Sequence, residues 1–596
     1  MKRILSFFLI CVLCVTAVLP ISAATEPLDP IISTTQGAIS AALGNDTVGA
    51  AVVLFEDGNR VMMEGFGYDD ISDRSLVTAT TVFELGKLSS LFVLLSVHQL
   101  EEQGLLDPSA DISNYLSQSF MDKLKLKYDV TTNDLLYGTA GFEGRMFDIR
   151  VDKDAYCFDT LEDALLVDVP SQVAEPGTYC TYSEFGIGLA AFVVESVSHK
   201  SYTAYVKEAI LEPLGMHDTQ LDPKAATLPE TAAKGHKMAE QGSFAVADGD
   251  GRSYGVLAPV NGAVSTAADM AYLLSYMMEK GLFADGGAAS GVFRTGAVGA
   301  RLGASTFSLS DTTACFGSAL CVDAAQGRIA LVLTNNKESA LLTLPDTLFG
   351  ALLGTSVEIA AELPALEQYE GVYAASTYAR NTLLGRLLVM NNNQKSKVNA
   401  DGVLTFGEQT LRQVAPGVFA LADSEENVAV LQFLTNEEGE VIAVLSSDGC
   451  TYLPVTFLEK TELAYMLLML LILAACYFLG GSIYTVIRSA RKQGEQTVGK
   501  YAVIKMITQA LLGALGALTL LQVLVALISG AATFASFFTA FAVLTTVVAL
   551  LAVISMAASF FASLGKSEKT VWLIINACVL VIFLLLACYW RILYIG

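Results

Sequence analysis

The chain has 596 residues, 53% of them hydrophobic and only 16% charged, with a formal net charge of -24. That length exceeds one ordinary domain, and the apolar excess points to membrane-spanning segments. From Leu463 onward eight Lys/Arg face two acids, which leaves -30 on the first 462 residues, a surface that repels phosphates and excludes nucleic acid as a partner.

In chain order, residues 1–24 read MKRILSFFLICVLCVTAVLPISAA: a basic start, a short apolar core, and the small residues Ser22, Ala23 and Ala24. This is the pattern of a secretory signal peptide, so the residues after it are expected outside the cell. Residues 27–353 mix helical periodicity (Leu91 to Glu102, Ala268 to Met278) with buried strands such as AVVLF and IALVLTN. That mixture predicts an α/β or α+β body around a sheet. Ahead of the first of these helices stands FELGKLSSLF, Phe83 to Phe92, a turn into an apolar helix that carries Lys87, Ser89 and Ser90.

Residues 360–458 change to short alternating runs, GVYAAS, GRLLVMN, GVLTFGE, GVFALAD and AVLQFLT, punctuated by NADG and NEEGE. They predict a small antiparallel β barrel or sandwich. Residues 463–596 resolve into four apolar spans, roughly 463–487, 506–528, 537–561 and 571–590. Each is long enough to cross a bilayer of about 30 Å as a helix. Arg488, Arg491, Lys492 and Lys500 follow the first span, Lys566 and Lys569 the third, and the loop SGAATFAS between the second and third is uncharged. The bias puts the basic loops inside and the acidic body outside, as a multi-pass membrane protein. No ionisable residue lies in the middle of a span, which favours a helical anchor over an ion path.

Five cysteines, Cys157, Cys180, Cys315, Cys321 and Cys450, fall in the exported portion. The odd, scattered set argues against a disulfide framework; a Cys157–Cys180 bridge stays open beside buried free thiols. His98, His199, His217 and His236 never fall at metal-ligand spacing, and neither a metal nor a cofactor is implied.

Five ordered segments resemble a known family. They are FELGKLSSLFVLLSVHQLEEQGLLDPSADISNYL, LLYGTAGF, EPGTYCTYSEFGIGLAAFVVESVSHKSYTAYVKEAILEPLGMHDT, APVNGAVSTAADMAYLLSYMMEKG and IALVLTNN. Together they are similar to the serine β-lactamase-related proteins, the class C β-lactamase and D-Ala-D-Ala peptidase group of penicillin-binding folds. The unit opening LEQYEGVY resembles the small barrel that often follows that domain. The resemblance implies a serine β-lactamase-like fold and acyl transfer through a serine at the start of a buried helix. A lysine one turn on takes or relays its proton. A Tyr-x-Asn pair and a Lys/His-Thr-Gly strand complete the family site.

The matching positions here differ. Lys87 stands at the nucleophile position and Ser90 at the lysine position, so the pair is swapped. Tyr182 is kept, but Glu184 replaces the asparagine. The third motif is Arg294-Thr295-Gly296 by spelling, or Leu309-Ser310-Asp311 when counted back from the strand ending at Asn335; the count carries more weight, because strand pairing fixes register. Gly141, Asp269 and Pro213-Leu214-Gly215-Met216 are fold determinants by the same resemblance. A cation and an anion at two positions that face one pocket predict a Lys87–Glu184 salt bridge filling it.

Three functions remain open at this level. The first is a catalytically inactive pseudoenzyme that binds or senses a peptidoglycan fragment or an envelope protein. The second is an active serine hydrolase with Ser90 as nucleophile and Lys87 as base. The third places a signalling or assembly role in the membrane region.

Overall fold

A computed structural model describes residues 30–144, 160–283 and 306–349, then 359–376 and 392–457, then 460–491, 500–528, 535–563 and 567–593. Short breaks fall inside these ranges, and a few described residues lie between them. The expected signal peptide, Cys157 and Arg294-Thr295-Gly296 lie outside the described residues.

The body forms around an antiparallel sheet of six strands. β1 (Gly49–Glu56), β2 (Asn59–Asp70) and β3 (Ser75–Leu76) come from the start of the body; β4 (Thr306–Thr312), β5 (Gly317–Asp323) and β6 (Arg328–Thr334) come from its end. Their spatial order, β4-β5-β6-β1-β2-β3, puts β1 in the middle, with Val53 opposite Leu331 on one side and Met63 on the other. Both faces of the sheet are covered, which is why AVVLF is a continuous apolar run and not an alternation. Ala51, Val53 and Phe55 enter a large core. Ala50, Val52 and Leu54 enter a second one with Ile31 and Ile39 of α1 (Pro30–Ala42) and with Leu344 and Phe349.

α2 (Ser90–Glu102) runs through the large core, and every residue from Ser90 to Val97 is buried. A helix surrounded on all sides needs no polar stripe, and this one has none over its first two turns. α3 (Glu184–Ser198) lies against it, its first turn capped by Ser183, whose hydroxyl accepts from the Gly186 amide at 3.1 Å. α4 (Ala267–Glu279) is tied to the PLGMHDT loop through Asp269, which accepts from the Asp218 amide at 3.0 Å and the Thr219 hydroxyl at 2.7 Å.

Eight further strands, from β7 (Gly371–Ala375) to β14 (Thr451–Pro454), follow one another round a closed barrel, with Tyr373 opposite Pro454 at the seam. Tyr369, Tyr373, Phe406, Phe419 and Phe433 fill it. The barrel holds the body segment just before Tyr182: Tyr179 is buried among Val414, Val418 and Leu445, the Thr181 and Ser376 hydroxyls are 2.9 Å apart, and the Thr451 hydroxyl donates to the Cys180 carbonyl.

One sequence expectation is corrected here. Within GRLLVMN the described residues Arg386, Leu387 and Val389 are helical, not extended, as is Leu383 just before them. Leu383 and Leu387, one turn apart, are buried in one cluster with Leu468 and Leu471 of the first apolar helix and with Trp590 just past the last, and the Arg386 guanidinium lies 4.7 Å from the Tyr589 ring centre. An apolar partner for an i, i+4 pair outweighs a weak alternation.

The C-terminal part has four helices, α5 (Thr461–Arg491), α6 (Lys500–Ile528), α7 (Ala535–Ser563) and α8 (Ser567–Tyr589). Their apolar stretches, Leu463–Arg491, Ala502–Ala526, Phe541–Ala562 and Val571–Tyr589, are long and apolar enough to cross a membrane. α5 and α6 approach closely: a Cβ at Gly516 would lie 2.4 Å from the Ala475 carbonyl oxygen. Polar side chains join α6 to α7, with Thr508 2.6 Å from the Ser555 hydroxyl and Gln522 donating to Thr545 at 2.6 Å. Small residues and hydrogen bonds between helices are what association in lipid relies on.

Candidate active-site pocket

The family positions come together where the 3-10 turn Gly86–Ser89 enters α2, beside the edge strand β4 and Tyr182, which stands just ahead of α3. Gly86 sits at φ +55°, and a Cβ there would be 2.4 Å from Asp311 Oδ2. Only a residue without a side chain lets the strand carboxylate come so close in that left-handed backbone.

The expected Lys87–Glu184 salt bridge is corrected. The Lys87 ammonium pairs with Asp311, Nζ to Oδ1 at 3.7 Å, and stands 5.2 Å from the centre of the Tyr182 ring. The Lys87 backbone N–H donates to Asp311 Oδ2 at 3.0 Å. Glu184, buried at the first position of α3, accepts from the Asn261 side-chain amide at 2.6 Å instead. A carboxylate that meets the ammonium and the backbone donor of one residue satisfies two groups at once, and Asp311 does so.

Both serine hydroxyls are engaged by the backbone. Ser90 is fully buried and its hydroxyl donates to the Lys87 carbonyl at 2.7 Å. Ser89 donates to the Gly86 carbonyl at 2.7 Å and accepts from the Ala263 amide at 3.1 Å. Both hydroxyls hold the turn together. Leu309, Ser310 and Asp311 lie on β4, with Leu309 buried and Asp311 opposite Ser318 of β5. The structure thus brings Lys87, Tyr182 and Asp311 together and puts Ser90 behind them in the core.

Sequence reasoning missed Asn261 as the partner of Glu184 and Ser89 as a fastener of the turn. Asn261 lies in APVNGAVSTAADM, a matched segment, but 77 positions separate it from Glu184 and nothing local signals the contact.

Among curated relatives, Protein flp of Staphylococcus aureus is 25% identical over 177 residues, 29% of this chain and 34% of that protein. Penicillin-binding protein 4* of Bacillus subtilis is 29% identical over 174 residues, 28% of this chain and 37% of its own length. The alignments thus span about a third of either relative. Among solved structures, the octameric penicillin-binding protein homologue from Pyrococcus abyssi is 18% identical, with a TM-score of 0.45 over 71% of this chain and 99% of that one. The model of the Beta-lactamase family matches residues 36–353, more than half of the chain, and by that match the chain belongs to the serine β-lactamase-related family.

Proposed function

We propose that this is an exported, membrane-anchored member of the family that has lost acyl transfer and serves recognition, with its body and barrel on the outer face of a bacterial plasma membrane. The ligand is a cell-envelope molecule such as a peptidoglycan fragment, or an envelope protein. One observation carries the reading: the position that needs an activated hydroxyl holds an ammonium paired with Asp311, while the Ser90 hydroxyl is buried and spent on a backbone carbonyl. Serine is a weak nucleophile unless a base takes its proton, and no base receives this one. An amine in its place would form a stable amide on acylation and stop after one event.

The test is nitrocefin hydrolysis and fluorescent-penicillin labelling of the purified protein, with Ser90→Ala as control. The expected result is no turnover and no label. Turnover or labelling that disappears in Ser90→Ala would overturn the proposal and support the rearranged hydrolase. A second reading, a signalling or assembly role for the membrane helices, draws support from the burial of Leu383 and Leu387 against them. Replacing the four helices by a single anchor separates the two readings, because retained function puts the activity outside.

A further inference from the structure

Peptide N–H groups in the first turn of a helix have no intrahelical acceptor, and they bind anions when they open onto a pocket. The Lys87 N–H is such a donor, on the turn that leads into α2. The Lys87 ammonium lies on the same side of it, since both reach one carboxylate, at 3.0 Å and 3.7 Å. A backbone donor and a cation converging on one point make a carboxylate site. In acyl transfer at a helix start, a backbone donor of this kind stabilises the developing oxyanion. Here it is taken by the side chain of Asp311, delivered from a strand 224 residues away. Gly86 leaves room for that carboxylate and for no added side-chain atom. The location is within reach of solvent, because the Lys87 side chain keeps 34% of its surface exposed.

We infer that the Lys87 N–H and ammonium, walled by the Tyr182 ring, form a binding site for a carboxylate ligand that the protein's own Asp311 occupies. Asp311 is an internal occupant: it excludes acyl oxygens and small anions, and an outside carboxylate enters only when it is displaced. The inference rests on the non-hydrolytic reading of the same pocket and adds the ligand class and the device that guards it.

The experiment uses the full chain in detergent micelles and N-acetylglycine as probe, with N-acetylglycinamide as the uncharged control, read by isothermal titration calorimetry. Asp311→Ala is expected to bind N-acetylglycine at least tenfold more tightly than the native chain, with no change for the amide. Adding Lys87→Met to Asp311→Ala removes most of that gain. Asp311→Asn keeps the volume of the side chain and is the second variant should the alanine variant fail to fold. Its carboxamide still fills the backbone donor but leaves Lys87 without a counter-charge, so its affinity falls between native and alanine. Native-like affinity in a folded alanine or asparagine variant overturns the inference, as does equal tightening for the amide. Nitrocefin turnover by the native chain, by contrast, sinks the non-hydrolytic reading and leaves the carboxylate measurement standing.

Discussion

An ammonium at the start of a buried helix needs a counter-charge nearby, and Asp311 supplies it, not the Glu184 expected from the motif positions. Asp311 takes the role because it also meets the Lys87 backbone donor, while Glu184 is held by Asn261. The two pairs should respond differently to mutation. Lys87→Met leaves Asp311 on the N–H and breaks a partly exposed ion pair, so its cost in urea unfolding is about 0–1 kcal/mol. Asn261→Leu takes a donor from a buried carboxylate and costs about 1–3 kcal/mol. A Lys87→Met loss larger than that of Asn261→Leu would show that the ranking is reversed. His236 supplies a pH dependence at the same scale. It is fully buried, and its Nε2 accepts from the Ile71 amide at 3.4 Å. Burial pushes its imidazole below the ordinary value, while the Asn335 and Lys234 backbone groups and the carboxylates of Asp70 and Asp69 pull the other way. The folded chain therefore takes up this proton less readily than the unfolded one. The stability is fully present above the unfolded value of about 6.5 and is lost as pH falls below it through the folded value. Melting temperatures at pH 7 and pH 5 should fall less in His236→Gln than in the native chain; equal falls would remove His236 as a source of acid lability.

Elements carry the next layer. The barrel was legible as alternating strands with Asp-Gly and Glu-Gly turns, yet alternation alone left barrel and sandwich open; only the seam between β7 and β14 decides closure. Its docking on the body runs through Tyr179, which is buried among barrel residues three positions before Tyr182. Tyr179→Ala should cost about 3–5 kcal/mol and expose the 176–182 segment to limited proteolysis. An unchanged digestion pattern would mean that the barrel is held elsewhere. In the apolar helices, Gly516→Val places a branched side chain where a single carbon already meets the Ala475 carbonyl oxygen at 2.4 Å. It should push α5 and α6 apart, read as lost disulfide cross-linking between cysteines introduced at facing positions of the two helices. Retained cross-linking would show that the pair tolerates a wider spacing.

For the whole molecule, the charge pattern of the loops sets the expected orientation: residues 25–460 outside, the 488–500 loop inside, and the chain after Trp590 outside. Single-cysteine accessibility labelling in intact cells checks it, and a 488–500 loop reactive from the outer face would reverse the assignment. Much was determined by local order alone. The apolar run of β1, the four long spans and the helix caps each arise from side chains close in sequence, where hydrophobic pattern and backbone hydrogen bonding act without distant partners. The swapped Lys87 and Ser90 were equally plain, because the motif is local. Tertiary structure alone decided which carboxylate the lysine met, where Asn261 went and why Leu383 and Leu387 turned helical. Each of those outcomes depends on contacts between residues far apart in the chain, as with Lys87 and Asp311, and no local propensity encodes which of two similar groups arrives within hydrogen-bonding distance.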